Sequence, residues 1–134
     1  MLPKDMELLK KELTGHALEV AKVFGIKLDF SHKSIKRVEK ILSKVHKDFK
    51  KTGDEDGLHG IALEFAAYII CVIEQHSTQG VWKRNHPELG EETFPYDWSN
   101  RTIFPYAWCM KRIFDGKGDN VWSKYKAIVM SEID

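Results

Sequence analysis

The longest apolar run of the chain, Ile61–Ile73, contains one charged residue, Glu64. The apolar face begins at Leu58 and a more polar stripe continues to Gln75, so the pattern predicts a helix over about 58–76. Because apolar residues cover nearly every side of this helix, it belongs at the centre of the fold. Thirteen residues are too few to span a bilayer, so the run is interpreted as the buried helix of a soluble protein.

Further helical patterns lie on both sides of this central helix. Apolar residues at helical spacing predict helices over about 4–24 and 32–51 before it, and helices over about 105–116 and after Asp119 behind it. Asp56 and Asp119 directly precede two of the five helices, so each is predicted to cap the helix that follows it.

The segment between the third and fourth helices has the pattern of a small sheet. Residues 81–85, 93–98 and 101–104 favour strands, and Ser99-Asn100 is suited to a hairpin turn. We therefore predict an α+β fold, with about five helices around the central helix (58–76) and an antiparallel sheet of about three strands (81–104). The length of 134 residues suits a single domain, 1–134.

A pentapeptide of the form Phe-Pro-Tyr-x-Trp occurs twice, as Phe94–Trp98 and as Phe104–Trp108. Proline lacks a backbone N–H, which is tolerated at a sheet edge and in the first turn of a helix. The first copy is therefore predicted to lie in a strand and the second to begin a helix.

Aromatic and arginine residues around these pentapeptides are candidate binding residues, because such residues dominate binding hot spots. The candidates are Trp82, Tyr96, Trp98, Arg101, Tyr106, Trp108 and Arg112. The alternative is that they fill the core between sheet and helix. The leading hypothesis is a non-enzymatic binding or regulatory module that recognises a protein partner through residues 80–114, with an immunity-like role as one form of it.

Charge is balanced over the whole chain but not along it. The formal net charge is +1, so no overall field favours nucleic acid or a membrane. Residues 32–51 nevertheless hold eight Lys and Arg against two acids, whereas residues 52–134 hold eight against thirteen. Because the acidic half can neutralise a lysine-rich face, we expect no nucleic-acid partner. Nucleic-acid binding through the helix 32–51 stays an alternative.

Catalytic signatures are weak. Glu64 lies within the most apolar helix, where burial raises the pKa of a carboxyl group, and His86 and Asp97 are the next candidates. An enzyme with an acid/base site near Glu64 and His86 is therefore a second alternative. The six histidines show no helical pair spacing typical of metal sites, so we predict neither metal nor cofactor. The two cysteines suit free thiols in a reducing cytoplasm.

Several short motifs resemble a bacterial family that is classed among the domains of unknown function. They are Leu28-Asp29-Phe30-Ser31, Ala67-Tyr68-Ile69, Gly80-Val81-Trp82, His86-Pro87, Gly90, Phe94-Pro95, Phe104-Pro105, Trp108-Cys109, Lys111-Arg112-Ile113, Gly116 and Asp119–Tyr125. The resemblance covers about residues 26–128 and implies a small cytosolic bacterial α+β protein, without an activity. Where the family pattern has a small residue and a Glu, this chain has Ile70-Cys71, so a role of that carboxylate is either lost in this chain or taken over by Glu64 or Glu74.

Overall fold

The computed structural model describes residues 3–133, so Met1, Leu2 and Asp134 of the predicted domain 1–134 lie outside the described residues. The helices are α1 (Pro3–Val23), α2 (Ser34–Thr52), α3 (Leu58–His76), α4 (Pro105–Asp115), α5 (Val121–Tyr125) and α6 (Ser131–Ile133). The strands are β1 (Val81–Trp82), β2 (Tyr96–Trp98) and β3 (Arg101–Ile103). A 3-10 turn at Lys117–Asp119 precedes α5, and a π-helical turn at Lys126–Met130 follows it. The predicted α+β class is confirmed.

Helix α3 lies at the centre of the fold and packs against α1 on one side and α4 on the other. Its core side chains include Phe65, Ile69 and Ile73, none of which is accessible to solvent. The whole helix is 19 residues long and apolar enough to cross a membrane by length and composition alone, but most of it is buried within the fold. The length of α3 therefore does not distinguish a core helix from a membrane-spanning one. The burial of α3 within the fold is what supports its place in the core.

The three strands form an antiparallel sheet in the order β1-β2-β3, between α3 and α4 in the chain. Val81 pairs with Asp97, and Tyr96 pairs with both Trp82 and Ile103. Ser99 and Asn100 connect β2 to β3 with φ values of 53° and 61°. Two consecutive positive φ values are what a type I′ hairpin turn requires, so the predicted turn is confirmed.

Two of the predicted helix caps are wrong. Helix α3 begins after Gly57, whose φ of 79° turns the chain into the helix, and no side chain caps it. Helix α5 is capped by Asn120, whose side-chain oxygen accepts from the N–H of Ser123, rather than by Asp119. Asp119 instead lies in the preceding 3-10 turn and pairs with Lys124 at 3.2 Å.

The two pentapeptides adopt different structures, as predicted. The first copy leads into β2, and the second begins α4 with Pro105 as its first residue. The position between Tyr and Trp also differs. Asp97 is half-buried and pairs with the Lys83 Nζ at 2.9 Å, whereas Ala107 lines a surface groove.

Candidate binding site

The structure places most of the seven candidate binding residues in the core. The buried ones are Trp82, Tyr96, Trp98, Trp108 and Arg112. Tyr106 is half-buried and Arg101 is exposed. The five buried side chains therefore offer little surface to a partner, and an open aromatic face made of all seven is absent from the described residues.

Polar partners inside the protein account for the burial of Trp82 and Tyr96. The Trp82 Nε1 donates to the carbonyl of Phe94 at 3.1 Å, and the Tyr96 hydroxyl donates to Glu74 at 2.8 Å. Buried polar groups need such partners, because an unpaired one costs free energy. The polar atoms of Trp82 and Tyr96 are thereby satisfied within the fold, whereas the buried Trp98 Nε1 has no hydrogen-bond partner among the described residues.

Arg112 is held by a buried ion pair between α4 and α2. Its Nε lies 2.9 Å from both carboxylate oxygens of Glu39, and the side chains are 4% and 12% exposed respectively. Glu39 also accepts the backbone N–H of Val121 at the start of α5, at 3.0 Å. The carboxylate therefore joins three helices, and Arg112 serves the core instead of a binding surface.

An apolar groove nevertheless opens on the surface of the aromatic segment, between the loop 84–94 and α4. Its cavity volume is about 560 Å³, and its lining residues are Leu89, Glu92, Thr93, Phe104, Tyr106, Ala107, Trp108, Met110 and Lys111. Leu89 stands at its edge with 61% of its surface exposed. We name this feature the α4 groove. Its volume lies in the range of ligand pockets, about 300–1,000 Å³.

The loop 84–94 is held in a defined shape by its own hydrogen bonds. His86 and Gly90 exchange two backbone hydrogen bonds of 2.9 and 3.0 Å. The His86 Nδ1 accepts the N–H groups of Glu88 and Leu89, each at 3.1 Å. The loop therefore presents Leu89 on a closed turn instead of a free segment.

Two residues of this loop have left-handed backbone conformations. Glu92 has a φ of 55° and Phe94 a φ of 50°. Such values are uncommon for bulky residues and cost about 1–3 kcal/mol each, so the surrounding structure must hold them there. The Asn85 side chain does so in part by accepting the N–H of Glu92 at 2.9 Å. Strain of this kind is concentrated at functional sites.

The loop side of the α4 groove is acidic. Glu88, Glu91 and Glu92 are exposed on the loop, and Glu92 pairs with Arg84 at 3.3 Å. Within residues 3–133, Glu88 and Glu91 form no ion pair. Burial, together with the nearby charge of Glu92, raises the pKa of the Tyr106 hydroxyl. The groove thus combines an apolar floor with a negative edge.

The three catalytic candidates each contact separate partners. Glu64 lies 3.6 Å from the His16 Nδ1 of α1, and burial raises the pKa of its carboxyl group against the opposing effect of His16. His86 closes the turn described above. Burial alone would raise the pKa of Asp97, but hydrogen bonds from Lys83 and Thr102 outweigh it and hold that pKa below its ordinary value.

No group of three or more His, Cys, Asp or Glu side chains in the described part of the chain is arranged to hold a metal ion. Both cysteines are free thiols, and burial raises the pKa of Cys109 and of Cys71. A raised pKa keeps the thiol protonated and unreactive at neutral pH.

Sequence reasoning missed a charged network between α1, α3 and β2. The Lys10 Nζ lies 2.6 Å from Glu74 and 2.8 Å from Glu7, and the second oxygen of Glu74 accepts from Tyr96. The Tyr96 hydroxyl in turn accepts the N–H of Gly80 at 2.9 Å. Glu74 therefore ties α1 to the sheet. The signal in the sequence was the position of Glu74, a charged residue one turn after Cys71 on a helix predicted to be buried.

A second network lies where the segment 26–33 crosses α3. The Tyr68 hydroxyl donates to the Ser34 Oγ at 2.7 Å and accepts the N–H of Phe30 at 2.9 Å. Phe30 itself has a φ of 62°. The rings of His32 and His76 stack with centroids 4.0 Å apart. This network accounts for the Leu28–Ser31 and Ala67–Ile69 motifs as parts of one structural joint.

Comparisons of the chain with protein-family profiles, with curated proteins and with solved structures give no match.

Proposed function

We propose that this protein is a non-enzymatic binding module of the bacterial cytoplasm, and that it recognises a protein partner through the α4 groove. The single observation that carries the proposal is an apolar cavity of about 560 Å³ beside a leucine that is 61% exposed. Exposed apolar surface of this kind marks binding sites on proteins. The proposal keeps the predicted aromatic segment as the binding region but assigns recognition to its outer edge.

The charge around the groove specifies the chemistry of the partner. An apolar floor takes apolar side chains, and a loop whose Glu88 and Glu91 form no ion pair with residues 3–133 attracts basic ones. We therefore assign the groove to a partner segment in which Leu-, Met- or Phe-like side chains alternate with Lys or Arg. Lys111, on the opposite wall, favours the orientation that places the basic residues over the loop.

The strained loop supports the same assignment. Glu92 and Phe94 keep positive φ values at one wall of the groove, so that wall is formed before any partner arrives. A preformed site loses less conformational entropy on binding than a flexible one. We therefore expect the loop 84–94 to keep its conformation when a partner binds.

A displayed library of random peptides, selected on the wild-type protein, tests the proposal. Enriched peptides should carry apolar and basic residues. Their Kd should weaken at least about tenfold, or about 1.4 kcal/mol, in Leu89→Lys and in Ala107→Arg, which remove the apolar edge and fill the cavity.

Leu8→Lys is the matched control, because Leu8 is 58% exposed on α1 outside the groove. Thermal melting of all three variants should stay close to that of the wild type. Peptides that bind both groove variants as tightly as the wild type, or that weaken equally in Leu8→Lys, would refute the assignment. Enrichment of acidic peptides would refute its electrostatic part.

A further inference from the structure

The outer side of α2 carries a row of basic residues. Lys33, Arg37, Lys40, Lys44, Lys47 and Lys51 follow one another at alternating intervals of four and three residues. Residues at these intervals lie on one face of a helix. With a rise of about 1.5 Å per residue, the row is about 27 Å long. We name it the lysine row.

The orientation of the row is fixed by the core. Ile35, Val38, Ile41, Leu42 and Val45 form the opposite side of α2 and are buried. Because that side is packed into the protein, the basic side chains must face solvent, and all except half-buried Lys44 are exposed. The row is therefore an outer surface of the folded protein.

Among the described residues, acidic side chains form an ion pair with one member of the row. Of the two acids in α2, Glu39 is buried against Arg112, which leaves Asp48 as the acid on the exposed side. Arg37 lies 3.6 Å from Asp29, and this is the one ion pair of the row with the described residues. Three acids of the C-terminal half pair with Lys83, Arg101 and Lys124 instead. These contacts therefore do not include the expected neutralisation of the lysine-rich face by the acidic half of the chain.

A cleft widens the basic surface at one end of the row. It has a volume of about 540 Å³ and is lined by Gly25, Ile26, Lys27, Asp29, Arg37 and Lys40. The Arg37 side chain donates to the backbone carbonyl of Lys27 at 3.1 Å and so links α2 to the segment 25–29. The charge thus extends sideways from the helix onto the segment 25–29.

We propose that the lysine row binds the phosphate backbone of a nucleic-acid duplex without reading its sequence. Each strand of a duplex carries a charge every 3.4 Å along its axis, so a row of about 27 Å spans about eight base pairs. Lysines act as point charges, whereas base reading relies on Arg, Asn and Gln forks. The single Arg of the row is already engaged by Asp29.

The composition of the surface favours a duplex over a single strand or a membrane. Single strands bind by stacking bases on exposed aromatic rings, but Phe49, the aromatic residue of α2, packs edge-on against Phe114. Membrane-surface helices insert their apolar face, and the apolar face of α2 is inside the core. A rigid helical phosphate backbone fits both observations.

Fluorescence anisotropy with labelled duplexes of about 24 base pairs and mixed sequence tests this proposal. The slope of log K against log salt between about 50 and 200 mM should be about −4 to −5 for the wild type. In the triple variant Lys40→Gln, Lys47→Gln and Lys51→Gln, the slope should become shallower by about 2.7, and binding at about 50 mM salt should weaken at least about tenfold.

The control is Lys11→Gln, Lys117→Gln and Lys126→Gln, which removes three exposed lysines outside the row and lowers the net charge equally. Its affinity for the duplex should change by less than about twofold. DNA and RNA duplexes of the same sequence are measured in parallel; binding to either supports the proposal, and their ratio identifies the preferred one. Equal losses in both triples, no duplex binding at about 50 mM salt, or tighter binding to phosphatidylserine vesicles would overturn it.

Discussion

Replacing Glu39 by Ala should strongly destabilise the protein. The substitution leaves the Arg112 guanidinium charged and 4% exposed, without its carboxylate. Removing one partner of a buried ion pair costs about 3–5 kcal/mol. The N–H of Val121 also loses its acceptor, which adds about 1 kcal/mol. We therefore expect the free energy of unfolding to fall by about 4–6 kcal/mol.

Urea denaturation followed by circular dichroism measures this change. A domain of this length has a free energy of unfolding of about 7–20 kcal/mol, so the variant should still fold. With an m-value of about 2 kcal/mol per M, the midpoint should fall by about 2–3 M urea. The double variant Glu39→Leu and Arg112→Met should recover most of the loss, because an apolar pair of similar volume carries no buried charge.

Glu19→Ala provides the comparison at the surface. Glu19 and Lys22 form an ion pair at 3.4 Å in which both side chains are 71% exposed. Its removal should change the free energy of unfolding by less than about 0.5 kcal/mol. A loss below about 1.5 kcal/mol for Glu39→Ala, or a double variant as unstable as the single one, would contradict the assignment of a desolvated pair.

Four further substitutions test other parts of the fold. A Cβ at Gly80 would overlap the backbone oxygen of Asp97, so Gly80→Ala should lower the free energy of unfolding by about 1–3 kcal/mol. Gly60 lies in a helix, and a Cβ added there would meet no atom within 4 Å. Gly60→Ala should therefore raise the free energy of unfolding by about 0.5–1 kcal/mol in the same urea denaturation. Tyr68→Phe removes a buried hydroxyl with two partners and should cost about 1–3 kcal/mol, whereas an unchanged melt would contradict that role. Burial raises the pKa of the Glu64 carboxyl group in the folded protein above its ordinary value of 4.5. The contribution of this group to the free energy of unfolding is therefore fully present below pH 4.5 and is lost as the pH rises through the pKa of the folded state. Glu64→Gln should therefore raise the Tm at pH 7 and leave it unchanged near pH 3.5, and a lower Tm at pH 7 would reverse the sign.

The helical framework was predictable because its signals are local. The helical pattern around the apolar run predicts a helix over 58–76, and the observed bounds of α3 match it. The hairpin turn followed equally from Ser99-Asn100, whose residue types tolerate positive φ. Asp56 and Asp119 carried the same kind of local signal. In the structure, Gly57 and Asn120 occupy the N-terminal ends of these two helices, one residue after each acid.

Burial within the aromatic segment was not predictable from residue type. Trp is common both in cores and at binding surfaces, and Arg is enriched at binding surfaces but can be buried when it is paired, so Trp98 and Arg112 fit either environment. Arg112 is buried because Glu39, 73 residues earlier, meets it across α2 and α4. Tyr96 is buried for a similar reason, since Glu74 reaches it from α3. Side chains brought together by the packing of distant elements leave no pattern at short range.

The position of α3 has a consequence for the order in which the chain is made. Helix α1 precedes α3 and can pack on it at once, but α4 ends at Asp115, 39 residues after His76. At a synthesis rate of about 5–20 residues per second, the α4 side of α3 stays uncovered for about 2–8 s. During those seconds the growing chain carries a helix apolar enough for a bilayer. The time for which this apolar helix stays uncovered therefore depends on how quickly the second pentapeptide and the rest of α4 leave the ribosome.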